Sequence, residues 1–325
     1  MAKAIRIHEH GGPEVLRFED VAVGRPGPGE IRVRQTAIGL NYIDVYFRTG
    51  LYPVGELPAT IGLEGAGIVE EIGPDVAGLE AGRRVAYASR PLGAYADERL
   101  IAAESVVPLP DAIDDKSAAA MMLKGMTAHY LLHACYAVAP GDVILVHAAA
   151  GGVGLILCQW GKHLGATVIG TVGSDEKADL ARAHGCDHAI AYTREDFASR
   201  VREITDGAGV AVVYDSVGKV TFEGSLDCLR PRGMMVSFGN ASGKPDPVDP
   251  LALGARGSLF LIRPSLGDYT ETRDALVARA SGLFAAVEAG HVKITVNQTY
   301  PLRDAGRAHV DLEARATTGS TVLIP

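Results

Sequence analysis

The chain has 325 residues, 47% apolar and 22% charged, values of a globular protein long enough for two domains and unlike those of a disordered or fibrous chain. Its formal net charge of −8 and lack of any basic tract argue against a nucleic-acid or anionic-membrane surface. No apolar run reaches the length of a bilayer span, and "MAKAIRIHEHGG" lacks the apolar core of a signal peptide.

The first third is rich in Gly and Pro. Short β-like runs, "AIRIHEH", "EIRVRQTAIGL", "AGIVEEIG" and "RRVAYA", are punctuated by turns such as "GRPGPGE" and "EIGPD". This predicts an irregular, mostly antiparallel β domain. Within it "VYFRTGLY" reads as a loop-prone stretch, and Asp44 and Arg48 are spaced for an i,i+4 ion pair.

From about residue 125 apolar runs recur: "DVILVHA", "TVIGTV", "DHAIAY", "GVAVVYDSV", "GMMVSFG" and "SLFLI". Helix-like stretches such as "SDEKADLARAHG" and "TFEGSLDCLRP" separate most of them. Apolar strands alternating with amphipathic helices predict a parallel sheet covered on both faces. The chain ends in a helix, the strand "ITVNQTYPL", another helix and the strand "STVLIP", which are expected to return to the first domain. The expected division is residues 1–124 with 267–325 in one domain and 125–266 in the other.

"DVILVHAAAGGVG" is a buried strand running into glycines with an apolar helix behind it, the setting a dinucleotide fingerprint requires. Read from its last glycine, the motif is Ala149-x-Gly151-Gly152-x-Gly154. Gly151, Gly152 and Val153 open the helix, where free N–H groups face a pyrophosphate, and Gly154 lets helix and strand pack closely. An NAD site would place Asp or Glu at the end of the next strand, to bind the ribose 2′-OH. Here that position is Gly173, followed by Ser174, Asp175, Glu176 and Lys177. A small residue leaves room for a 2′-phosphate, Ser174 offers a hydroxyl and Lys177 a charge, so NADPH is the expected cofactor.

With these residues in place, the chain resembles the zinc-free quinone oxidoreductases of the medium-chain dehydrogenase/reductase superfamily. The resemblance runs end to end and is carried by "NYIDVYFRTGLYP" (41–53), "GLEGAG" (62–67), "HAAAGGVG" (147–154), "VYDSVG" (213–218), "SFGN" (237–240) and "RPSL" (263–266). It implies a GroES-like, mostly antiparallel β catalytic domain plus a doubly wound Rossmann cofactor domain, with the reaction in the cleft between them. Zinc enzymes of the superfamily carry Cys where this chain has Asn41, and Gly-His-Glu where it has Gly62, Leu63 and Glu64. Asn is a poor zinc ligand and Leu is none, so no metal is expected. The four cysteines, Cys135, Cys158, Cys186 and Cys228, are too widely spaced for the superfamily's structural zinc lobe and are expected as buried thiols in a cytoplasmic protein.

Without a metal, the suited acceptor is a quinone or another small conjugated carbonyl, whose developing charge is spread over the conjugated system. Tyr46 and Tyr52 offer phenolic donors and flat faces. Arg263 follows an apolar strand directly, at the end where open sheets bind ligands. By resemblance, Asn41 lies beside the nicotinamide, and Lys124, Thr127 and Tyr130 lie near its ribose and the 2′-phosphate. Tyr192 flanks the adenosine phosphate, Ser216, Val217, Phe238, Gly239 and Asn240 close strands on the ligand side, and Arg315 reaches the cofactor. His147 reads as a satisfied buried histidine, Glu64 as structural. A homodimer is expected, with "GSLFLI" as a sheet-edge strand. The leading expectation is an NADPH-dependent quinone reductase. The rival within the same fold is an enone or 2-enoyl thioester reductase, and the rival of another class is a non-catalytic crystallin-like or RNA-binding protein.

Overall fold

Short strands fill the first third of the chain in the computed structural model, which describes residues 1–325. They are β1 (Ala2–Ile7), β2 (Arg17–Val21), β3 (Glu30–Leu40), β4 (Ala59–Thr60), β5 (Glu64–Ile72), β6 (Arg84–Ala88), β7 (Glu98–Ala102) and β8 (Val107–Pro108). Helix α1 (Tyr42–Arg48) follows β3, and α2 (Asp115–Tyr130) follows β8. Strand and helix then alternate: β9 (Val143–Val146), α3 (Gly152–His163), β10 (Thr167–Val172), α4 (Asp175–Ala183), β11 (His188–Ala191), α5 (Phe197–Ile204), β12 (Val210–Asp215), α6 (Phe222–Cys228) and β13 (Leu229–Ser237). After α7 (Pro250–Ala255), β14 (Phe260–Ile262) and α8 (Leu266–Tyr269), the chain closes with α9 (Arg273–Glu288), β15 (Val296–Pro301), α10 (Ala305–Glu313) and β16 (Ser320–Ile324).

Two units result. The first comprises Met1–Met126, Thr270–Glu288 and Ile294–Pro325. Its larger sheet has the order β15-β16-β3-β5-β6-β8, with β7 also on β3, and a three-stranded sheet β2-β1-β4 accompanies it. All pairings are antiparallel except β15 with β16. The closing strand does return: β16 pairs with β3, Leu323 opposite Ile38. Alternation along β3 buries Ile31 and Val33, and a register shift between Gln35 and Ala37 turns Ile38 and Leu40 inward instead. These four join Ile5, Ile7, Val69, Val85 and Tyr95 in one core.

The first half of the segment read as loop-prone, residues 45–48, belongs to helix α1, and residues 49–52 form the turn after it. The helix start carries a capping box, Asn41 at the N-cap and Asp44 at N3, with the Asp44 carboxylate accepting from the Asn41 N–H at 2.9 Å. Val45, Tyr46 and Phe47 are buried along it.

The second unit comprises Thr127–Tyr269 and Ala289–Lys293. Its six parallel strands run β11-β10-β9-β12-β13-β14. Numbered from β9 this is the 3-2-1-4-5-6 order of the doubly wound Rossmann fold, which reverses at β9 and β12 and gathers loops at the strands' carboxyl ends. Leu145, Ile169, Ile190, Val213 and Met235 from five of the strands fill its core with Phe222 and Leu226 of α6.

Candidate functional site

The Gly-rich turn closes β9 and opens α3. Ala148 takes the left-handed conformation (φ +53°), and Gly151 is the N-cap of α3 without any side-chain cap. The first N–H groups of the helix therefore receive no bond from an N-cap side chain. A Cβ on Gly154 would overlap the Ala148 carbonyl oxygen and lie 2.8 Å from Ala149 Cα, so only glycine lets α3 pack onto the turn. Ala149, where the motif usually has glycine, is fully buried, and β10 makes room for it: a Cβ on Gly170 would lie 2.6 Å from Ala149 Cβ. The alanine is accommodated one strand away rather than in the turn. A cradle that a Cβ would fill, at the head of a 12-residue helix, suits a pyrophosphate.

At the end of β10, a Cβ on Gly173 would lie 3.0 Å from the Tyr192 hydroxyl oxygen, so the glycine admits Tyr192. Tyr192 N–H bonds Val172 O at 3.2 Å and Thr193 Oγ1 bonds Gly173 O at 3.5 Å, which draws the loop after β11 onto the end of β10. Ser174 caps α4, accepting from the Lys177 N–H at 3.3 Å. Its hydroxyl also holds the Glu176 carboxyl below the ordinary range. Asp175 does not simply face solvent. Arg194, a residue the sequence reading passed over, grips it with two bonds of 2.5 and 2.9 Å. Gly173, Ser174, Lys177 and Tyr192 thus converge, with Arg194 beside them.

The loops after β12 and β13 are tied by one buried carboxylate. Asp215 accepts from Val217 N–H (2.7 Å), Gly218 N–H (2.9 Å), Thr221 Oγ1 (2.7 Å) and Ser225 Oγ (3.0 Å). Its own carbonyl accepts from the N–H groups of Phe238 and Gly239, and a Cβ on Gly239 would overlap the Ser216 carbonyl oxygen. Ser216, Val217, Phe238, Gly239 and Asn240 therefore form one knot. Within it Val217 has both backbone groups paired, its carbonyl with Ser242, so its backbone is engaged in holding the loop. His147 is the satisfied histidine expected. It lies between Thr171 Oγ1 (2.8 Å) and Ser225 Oγ (2.9 Å), and burial holds its imidazole below the ordinary value and so neutral.

A third group of this unit gathers Thr127, Tyr130 and Arg263. Tyr130 stacks on Tyr269 at 4.4 Å with rings nearly parallel, and Tyr269 meets Cys135 Sγ at 3.1 Å. Burial pushes the Tyr130 phenol well up, opposed by the Arg263 charge and a bond from Thr127.

In the first unit, Asn41 and Lys124 meet on a fully buried carboxylate. Glu64 Oε2 accepts from Asn41 Nδ2 at 2.7 Å and pairs with Lys124 Nζ at 3.2 Å, while Oε1 accepts from Leu123 N–H at 2.7 Å. Glu64 thus has the structural role expected of it. Along α1 and just after it, Tyr46 packs edge-on against Tyr42 and Tyr52, at 5.5 and 5.1 Å. Tyr46 is buried and Tyr52 half-buried. Arg315 follows α10 in the left-handed region (φ +59°), and its charge is felt by Tyr42.

Asp44 and Arg48 do not pair with each other. Asp44 accepts from Tyr95 (3.0 Å), Tyr95 meets His309 Nε2 (3.1 Å), and Arg48 binds His309 Nδ1 (3.0 Å) and Glu313 (2.8 Å). Both ends of the supposed pair are drawn to partners far along the chain, because burial in the core makes satisfied partners worth more than a helix-surface contact.

A GroES-like β unit joined to a Rossmann unit defines a medium-chain dehydrogenase/reductase. Residues 27–111 match the alcohol dehydrogenase GroES-like domain and residues 152–278 the zinc-binding dehydrogenase family. Over its full length the chain is 54% identical to a quinone oxidoreductase of Pseudomonas aeruginosa, covering 100% of both. It is 51% identical to a 2-haloacrylate reductase of Burkholderia, covering 100% of this chain and 99% of that protein. The solved quinone oxidoreductase of Escherichia coli, complexed with NADPH, superposes with a TM-score of 0.98 at 50% identity, covering 100% of both chains. The chain belongs to the quinone oxidoreductase family of that superfamily.

Proposed function

We propose that the chain reduces quinones with NADPH, without a metal. The observation that carries this reading is the paired geometry at the ends of β9 and β10: a cradle with no N-cap side-chain bond at the head of α3, and Gly173 where an NAD enzyme would have an acid. Relatives of about half identity over the whole length are quinone oxidoreductases, and one solved relative holds NADPH. When bound, NADPH supplies a hydride from its nicotinamide ring.

This chain's own residues then bind, orient and stabilise. Gly151, Gly152 and Val153 offer the N–H groups of the α3 head to the pyrophosphate. Ser174, Lys177 and Tyr192 surround the position of the 2′-phosphate. The knot of Ser216, Val217, Phe238, Gly239 and Asn240 sets the edge of the nicotinamide site, with Thr127 and Tyr130 on its ribose side and Arg315 as a further cofactor contact. Glu64 holds the Asn41 amide and the Lys124 ammonium together, and that cation with the Tyr46 and Tyr52 phenols supplies donors to the oxyanion of the reduced acceptor. Arg263 is a further candidate for binding the acceptor. Asn41 and Leu63 stand where zinc enzymes need Cys and His, and Asn41 Nδ2 is already committed to Glu64.

The protein works as a cytoplasmic homodimer, and its four free cysteines suit a reducing compartment. Its contact is the edge strand β14, which exposes Phe260 and Leu261. The test is NADPH oxidation by chelator-treated protein with 1,4-benzoquinone, alongside NADH and a 2-enoyl thioester. Turnover with NADPH and quinone, undiminished by the chelator, is expected. The reading fails if activity disappears on chelation or if only NADH serves. Reduction of the thioester alone would instead favour the conjugated-carbonyl chemistry that the 2-haloacrylate reductase relative represents.

A further inference from the structure

The first turn of α4, just after β10, carries two acidic residues, Asp175 and Glu176, where an anionic 2′-phosphate is expected. A carboxylate there repels the phosphate and suits a ribose hydroxyl, so the site needs something to offset it. Ser174 engages Glu176. Asp175 is engaged by a residue from the next strand-end loop, and the geometry of that loop aims the residue. Tyr192 and Thr193 are bonded to Val172 and Gly173, and the N–H groups of Arg194 and Glu195 both bond Ala191 O, which curls the chain back over the head of α4. Arg194 therefore reaches across with both terminal nitrogens on the two oxygens of Asp175.

We propose that Arg194 and Asp175 form the specificity element for the phosphorylated dinucleotide: Arg194 leaves Asp175 to bind the 2′-phosphate, and Asp175 serves as its placeholder when no phosphate is present. This rests on the NADPH reading above. Both side chains are more than 60% exposed, so the pair is weak and easily exchanged, while a guanidinium fork matches a phosphate as well as it matches a carboxylate. Other charges around Arg194 are Glu195, which reinforces its cation, and Arg182, which lies within reach of Asp175. Lys177 projects from the first turn of α4. Arg194 thus acts with Lys177 while also masking Asp175, an acid that would otherwise favour NAD.

The two partners make opposite predictions, which separates a specificity role from a merely structural one. The probes are adenosine 2′,5′-bisphosphate and AMP, with binding measured directly by calorimetry on the full chain. Arg194→Ala is expected to weaken the bisphosphate by about 10- to 100-fold, the worth of a charge-assisted contact, and to leave AMP nearly unchanged. Asp175→Ala is expected to tighten the bisphosphate by up to about 5-fold, the worth of an exposed ion pair. Arg194→Lys should restore part of the loss. If Arg194→Ala weakens both probes equally or neither, the assignment is overturned. The same holds if Asp175→Ala weakens the bisphosphate. If the unaltered protein does not distinguish bisphosphate from AMP, the NADPH reading itself falls, and this assignment with it.

Discussion

Asp44 and His309 sit along one buried hydrogen-bonded chain, and their titrations act on stability in opposite directions. Arg48 can only donate, so its bond makes His309 Nδ1 the acceptor and leaves the ring proton on Nε2, against the Tyr95 hydroxyl. Tyr95 donates onward to Asp44. Burial lifts the Asp44 carboxyl from 3.8 to about 7, against the bonds from Asn41 and Tyr95 and the Lys124 charge, with Glu64 adding to the rise. Burial, aided by the Arg48 charge, lowers His309 from 6.5 to about 3. Between pH 3.8 and about 7 the native state therefore holds a proton on Asp44 that the unfolded chain has lost, and this contribution to stability falls as pH rises. Between about pH 3 and 6.5 the unfolded chain holds a proton on His309 that the native state lacks, and that contribution rises with pH.

At about 1.4 kcal/mol per pH unit, each arm amounts to roughly 4 to 5 kcal/mol over its window. Where the windows overlap, each state carries one proton on this pair, and the arms cancel. The perturbations are Asp44→Asn and His309→Gln. Asparagine keeps an acceptor toward Asn41 and Tyr95 and puts its NH2 where Asp44 Oδ1 has no hydrogen-bond partner, at a constant cost of about 1–3 kcal/mol. Glutamine can accept from Arg48 and donate to Tyr95 as the neutral imidazole does. In urea unfolding from pH 4 to 8, the unaltered protein should be nearly flat with respect to this pair up to pH 6.5. Asp44→Asn should gain several kcal/mol from pH 4 to 6.5, His309→Gln should lose several from pH 4 to 7, and the double variant should be flat again. Single variants with the parental profile would refute the reasoning, because the two groups would then not titrate as their burial requires.

Three further outcomes are expected. Gly154→Ala should lower the thermal midpoint and weaken NADPH more than tenfold by fluorescence titration, because its methyl group overlaps the Ala148 carbonyl under the cradle; unchanged affinity would show that α3 can shift freely. Ser225→Ala should cost about 1–3 kcal/mol in denaturant unfolding, since it strands His147 Nε2 and removes a donor from Asp215. For the homodimer proposed above, Phe260→Lys should shift the mass measured by light scattering from dimer to monomer while the far-ultraviolet spectrum is unchanged; a monomeric parent chain would refute the dimer, and a dimer that persists in the variant would place the contact away from the β14 edge.

The strand and helix rhythm of the second unit was legible because each parallel strand is apolar on both faces and each helix opens beside a glycine or a capping residue. β3 of the first unit was legible over its whole span for a different reason, the alternation of Ile31 and Val33 with polar residues followed by an apolar run. Helix α1 was not, because seven residues crowded with aromatics carry no clear period. Its signal was instead the spacing of Asn41 and Asp44, which matches a capping box. The misread pairing of Asp44 with Arg48 has the same root. Spacing along a helix says which side chains can meet, but a buried charge goes wherever its bonds can be completed. Here that was His309, 261 residues from Arg48 in sequence.

What the sequence concealed is therefore of one kind: polar residues whose partners lie on another element. Asp215 reads as the end of an apolar strand, yet it holds two loops through four bonds to its carboxylate. Glu64 reads as structural, but the sequence does not name the partners it organises, Asn41 and Lys124. Arg194 drew no reading from the sequence, yet it covers Asp175. In each case the group is valuable because folding brings donors to it at a fixed distance, and a carboxylate or guanidinium so placed orients its neighbours as firmly as packing does. The glycines of the turn behave differently. Their role follows from the lack of a side chain, a property the sequence states outright, and so the tight turn from β9 into α3 could be read directly while the hydrogen bonds that steady the loops around it could not.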